Sequence, residues 1–103
     1  MRRMPVREKV LEFVSEGNTN INIPFDWCKY DKIEIVAETA YGFADSYSVV
    51  VGPQAKLKGQ ESAQFNGFLN AIRLQANSLL LSLDLSPSAS SQKLYFTVYG
   101  IKY

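Results

Sequence analysis

The sequence predicts an all-β domain, an antiparallel β-sandwich or jelly roll of seven to eight short strands with no long helix. Three observations carry this expectation. Apolar residues recur with a period of two, most cleanly where Leu79, Leu81, Leu83 and Leu85 alternate with Ser82, Asp84 and Ser86. The apolar runs are short, as in Val49–Val51 and Leu79–Leu81. Gly, Pro, Asn and Ser separate them throughout, and no long segment keeps a helical period.

Residues 1–9 are polar and basic, with Arg2, Arg3, Arg7 and Lys9 set against Glu8 alone, and they contain Pro5. They read as an N-terminal basic arm on a single sandwich domain of residues 10–103. A free arm predicts that deleting residues 1–8 leaves the fold intact. Lys9–Ser15 admits either a helix face or a strand with Leu11 and Phe13 on one side of it. Its shortness and the turn Glu16-Gly17-Asn18 favour the strand. A brief strand follows at Asn20–Ile23, ended by Pro24, which donates no ladder hydrogen bond. Phe25 and Trp27 then form an aromatic corner suited to plug an open sandwich end. In the strand Lys32–Thr39, Ile33 and Ile35 take one face while Lys32, Glu34 and Glu38 take the other.

Tyr41–Ser46 reads as a loop, and Tyr47–Val51 as a strand with Tyr47, Val49 and Val51 on one side. Gln54–Gln64 shows no clear period and reads as a long surface loop or an excursion to a partner. Phe65, Phe68, Leu69 and Ile72 have helical spacing, but Gly67 and Asn70 weaken it. A hairpin from Ile72–Gln75 through Ala76-Asn77-Ser78 into Leu79–Leu85 fits better. Pro87–Gln92 is a loop. In the last strand, Lys93–Tyr103, Leu94, Phe96 and Val98 face one way; Tyr95, Thr97, Tyr99, Ile101 and Tyr103 face the other.

Composition narrows function mostly by exclusion. The chain has 103 residues, 47% hydrophobic and 20% charged, which suits one globular domain. A net charge of +1 gives no nucleic-acid footprint. A single Cys forms no intrachain disulfide. Glu12 and Glu16 interrupt what would be the apolar part of a signal peptide, and no apolar run spans a membrane. Synthesis and folding in a cytoplasm are expected.

With no His in the chain, Ser-His-Asp and Cys-His catalysis and the usual zinc sites are excluded. Cys28, between Trp27 and Lys29, reads as a packed thiol rather than a nucleophile. Glu34 and Glu38 lie about 13 Å apart along a strand, too far for a glycosidase pair, and Glu34 is better matched to a cross-strand Lys or Arg. Asp26 and Asp31 suit turn-forming or capping roles more than Ca²⁺ binding. Gly52–Gly59 lacks the terminal Gly-Lys-Ser/Thr of a P-loop. No catalytic residue, metal or cofactor is therefore assigned, and the chain is read as a non-enzyme.

The best binding candidates are aromatic and basic. Tyr95, Tyr99 and Tyr103 would stand in a row on the last strand, suiting a subunit interface or sugar stacking; in a curled sandwich the same face is half buried. Arg2, Arg3, Arg7, Lys56 and Lys58 complete the candidate partner contacts. Trp27, Tyr41 and Phe43 are the candidate ligand aromatics for a glycan-binding or receptor-recognition module.

The segments Ile23-Pro24-Phe25-Asp26-Trp27, Lys32-Ile33-Glu34-Ile35 and Val49–Gly52, closed by Tyr99-Gly100-Ile101-Lys102-Tyr103, give the chain a resemblance to the small β-sandwich virion modules of tailed bacteriophages. It spans roughly residues 12–103. The spacing from Pro24 to Trp27 is one residue longer than in the tail-fibre modules. The absence of a fibrous stem or coiled-coil repeat after Met1 favours a free-standing accessory protein. The resemblance implies a homo-oligomer, expected as a trimer, that decorates or cements a capsid by binding the major capsid or another virion protein. It implies location in the virion after assembly in the bacterial cytoplasm, and carries no membrane or nucleic-acid partner. The alternative it leaves open is the glycan-binding tip of a tail fibre.

Overall fold

The computed structural model describes residues 4–16, 20–39, 42, 44–65, 69–75, 77–83 and 93–103. They form eight strands and one short helix: β1 (Val6–Glu16), β2 (Asn20–Pro24), β3 (Lys32–Thr39), β4 (Ala44–Val50), α1 (Pro53–Lys58), β5 (Gln60–Gln64), β6 (Leu69–Gln75), β7 (Ser78–Leu83) and β8 (Lys93–Lys102). A 3₁₀ turn at Trp27–Lys29 links β2 to β3. The strands make two antiparallel four-stranded sheets, ordered β1-β8-β3-β4 and β2-β7-β6-β5. The expected all-β sandwich is therefore present. First pairs with last and second with seventh, as in a jelly roll. But β3 pairs with β4 and β5 with β6, where a jelly roll pairs third with sixth and fourth with fifth, so the molecule is a two-sheet sandwich of different strand order.

Alternation places the core. Ile33, Ile35, Ala37, Tyr47, Val49, Leu94, Phe96 and Val98 from the first sheet meet Leu69, Ile72, Leu74, Leu79, Leu81 and Leu83 from the second, all buried. Along a regular strand every second residue enters the core, because successive side chains leave a pleated backbone on opposite faces. In β6 a register shift between Leu69 and Ala71 sets Leu69 three residues before Ile72. Edge strands are less covered, so Leu11, Phe13, Ile21 and Ala63 are only partly buried against this core. Phe13 stacks on Phe96 at 4.9 Å, and Tyr47 meets Phe65 edge to face at 5.0 Å where β4 and β5 approach. The corner aromatics do plug one end: Phe25, Trp27 and Tyr30 are all buried.

Four expectations are corrected. Residues 6–9 are not a free arm but the start of β1, with Val6–Lys9 paired to Tyr99–Lys102 of β8. Deleting residues 1–8 would therefore remove part of β1 and its pairing with β8. Gln54–Gln64 is not a loop but α1 followed by edge strand β5. Pro53 occupies the first turn of α1 and Gly59, at φ 72, ends it in the left-handed conformation. β4 begins at Ala44, inside the segment read as a loop, and the hairpin strand β6 begins at Leu69, before the predicted Ile72. Leu85 and the Pro87–Gln92 loop lie outside the described residues.

Candidate functional site

The sandwich offers two outer faces of different chemistry. On the first sheet, β1 contributes Arg7, Lys9, Glu12 and Val14 to the outer face. β8 contributes Tyr95, Thr97 and Tyr99, and β3 contributes Lys32, Glu34, Val36 and Glu38. Arg7 lies 3.6 Å above the centre of the Tyr99 ring and reaches across β8 to Glu34. Its Nε donates to Glu34 Oε1 at 3.0 Å, and its Nη2 donates to the same oxygen. The bond to Glu34 raises the Arg7 pKa further above its ordinary value. Three strands are thereby tied by one side chain. The expected cationic partner of Glu34 exists, two strands away rather than directly opposite. Lys9 and Glu12 pair at 3.0 Å across the β1 register shift.

Tyr95 and Val14 face each other in register, 43% and 56% exposed, beyond this ionic lattice. Glu12, Glu16, Glu38 and Lys93 surround them in the strand register. Tyr99 is half buried beneath Arg7, and Tyr103 is exposed just past the strand end. The tyrosine row is thus present but uneven. Ile101, of the same parity, is buried between the register positions of Arg7 and Lys32.

The remaining candidates scatter. Arg2, Arg3, Tyr41 and Phe43 lie outside the described residues. Trp27 is 1% exposed and belongs to the core rather than to an exposed stacking surface; among the described residues its buried Nε1 has no hydrogen-bond partner. Lys56 pairs with Asp31 at 3.3 Å. Asp31 also accepts the Tyr103 N–H at 2.9 Å, which together with Lys56 holds its carboxyl below the usual value. Of the roles read for Asp31, the hydrogen bond corresponds to capping: its carboxylate caps the Tyr103 backbone N–H just past the end of β8. Lys58 is exposed on α1, beside a cavity described next. Among the described residues, no group of three or more carboxylate, thiol or imidazole side chains is placed to hold a metal ion.

The second sheet's outer face was not singled out from sequence. Its register places Asn22, Leu80, Arg73 and Ser62 in one row across the four strands, with Pro24, Ser78, Gln75 and Gln60 in the next. An open cavity of about 340 Å³ lies between α1 and the Arg73 and Gln75 end of this face. A second, of about 190 Å³, lies over Asn22, Leu80 and Ser82. Arg73 lines both.

One structural device also escaped the sequence reading. The buried Tyr30 ring lies against Gly100 of β8, where a Cβ would overlap it, and its hydroxyl donates to Glu8 Oε2 of β1 at 3.1 Å. A glycine inside a strand was the signal for such a close approach. No protein family, no curated protein and no solved structure matches the chain.

Proposed function

We propose that this chain is a non-catalytic structural subunit of a bacteriophage particle, of the decoration or cement kind. It works by packing against copies of itself, as a trimer, and against a major capsid or other virion protein. The observation that supports this reading most is the Tyr95–Val14 pair on the first sheet. An exposed aromatic and an exposed aliphatic side chain sit together, ringed by charged residues, on a surface stiffened by Arg7, Tyr99 and Glu34. An apolar, aromatic centre with a polar rim is the anatomy of a protein interface. The phage assignment draws on the resemblance of Ile23–Trp27, Lys32–Ile35 and Val49–Gly52, segments that here build the aromatic corner and the β3–β4 hairpin.

The test is assembly. Sedimentation velocity on the isolated protein should give a trimer, and Tyr95→Glu with Val14→Glu should give a folded monomer that no longer co-sediments with particles. A wild-type monomer at all concentrations, or particle binding unaffected by the double substitution, would overturn the reading. Deleting residues 1–5, which stop short of β1, should weaken particle binding without lowering the melting temperature.

A further inference from the structure

We propose that the outer face of the second sheet binds an acidic saccharide, with the sugar carboxylate seated on Arg73. The inference does not depend on the assembly reading, which concerns the opposite face. It starts from an unused charge. Arg7 has Glu34, Lys9 has Glu12 and Lys56 has Asp31. Among the described residues no carboxylate lies within ion-pair distance of Arg73 or of several surface lysines, and Arg73 is set apart from those lysines by lining both cavities. Arg73 is exposed at the junction of the two cavities, so its guanidinium fork is open to a planar, two-oxygen acceptor.

Its surroundings select what carries that carboxylate. Gln60 and Gln75 on one side and Asn22 and Ser82 on the other present amides and a hydroxyl. Such groups both donate and accept, as sugar hydroxyls do. Leu80, half buried beside Arg73 in the register, supplies an apolar strip for the C–H face of a ring. The larger cavity, about 340 Å³, falls within the range of about 300–1,000 Å³ typical of small-ligand sites. Four strands spaced about 4.8 Å apart extend the face far enough for a short oligosaccharide. A nucleic acid would need several phosphate-binding cations, and among the described residues lining these cavities only Lys58 accompanies Arg73, with Glu61 beside them. A second protein copy would need an apolar centre, and Leu80 is the only large aliphatic side chain among the outward residues of these rows.

The experiment titrates isotope-labelled protein with a panel of uronate- and sialate-bearing trisaccharides, their neutral counterparts, sodium acetate and inorganic phosphate, following backbone amide shifts. The proposal expects saturable shifts at Ser62, Arg73 and Leu80 with an acidic trisaccharide, and affinity for its neutral counterpart weaker by about tenfold or more, as for loss of a charge-assisted bond. Arg73→Gln should lose the same factor with an unchanged melting temperature, and Arg73→Lys should recover only part of it. Equal binding of neutral sugars, equal binding of acetate or phosphate alone, full binding by Arg73→Gln, or no shift on this face with any member of the panel would each overturn it.

Discussion

Arg7 and Arg73 occupy the outer faces of opposite sheets, and their surroundings could hardly differ more. Arg7 lies on a tyrosine ring, holds a carboxylate two strands away and ties an edge strand to the sheet interior. Arg73 stands among amides, hydroxyls and one carboxylate, Glu61, that lines the same cavity, and among the described residues no carboxylate lies within ion-pair distance of it. The same residue type thus serves cohesion on one face and leaves a charge available on the other. A net charge of +1 conceals this difference, because it is set by where each charge sits in the sheet order.

The contrast can be broken or sharpened by substitution. The largest effect is expected in the interior the two faces share. Trp27→Ala should cost about 3–5 kcal/mol, through lost burial and an unfilled cavity. Trp27→Phe should cost clearly less, since a phenyl ring keeps most of the buried aromatic surface. Urea unfolding gives both numbers. Hydrogen exchange on Trp27→Ala should show both sheets losing protection together; a second sheet that stayed protected would mean the faces belong to separate cooperative units.

Next is Gly100→Ala, which acts on the first sheet alone. The added methyl must displace the Tyr30 ring, and the overpacking should cost about 1–3 kcal/mol. On a Tyr30→Ala background the same change should cost little, which a double-mutant cycle measures. Smaller still is the comparison of the two arginines. Arg7→Ala should lower the melting temperature and reduce it less in high salt, whereas Arg73→Ala should leave it unchanged. Equal shifts would remove the distinction between the faces.

The smallest effects are in pH. Tyr103 and Lys56 depress the Asp31 pKa, so its stabilisation is present above the unfolded value of about 4 and fades as pH falls through the folded one. Asp31→Asn should flatten that acid limb in urea midpoints. Burial, and then Glu8, raises the Tyr30 pKa, so its stabilisation is whole below about pH 10 and is lost as pH rises through the folded value. Tyr30→Phe should flatten the alkaline limb.

Particular residues show how far the sequence could be read. β3 and β7 were legible because Ile33, Ile35 and Ala37, and Leu79, Leu81 and Leu83, are buried on one face, so period two appears undiluted. β4 was legible only from Tyr47 onward, since Ala44, Asp45 and Ser46 are exposed on an edge strand. β5 was not, because its inward residues at an edge are Glu61 and Ala63, and a half-covered edge imposes no apolar pattern. The six-residue α1 is too short to show a period, although Gly52-Pro53 and Gly59 bracket it with cap chemistry. β1 was cut short at Lys9 because its charged start lies on an edge, where exposed faces tolerate charge. At the surface, Tyr95 was found by its strand parity. Arg73 was missed, because one charge in a polar hairpin means nothing until β5, β7 and β2 are known to flank it.

The linear chain by itself determined the two-layer β architecture, the inward leucines and isoleucines and the aromatic corner, since these follow from local alternation and from the solvation of each side chain. Only the tertiary structure decided which strands are neighbours, and therefore which charges meet. Arg7 and Glu34 are 27 residues apart and find each other across β8, while Arg73 meets no carboxylate among the described residues, because sheet order is set by long-range packing that no local period encodes.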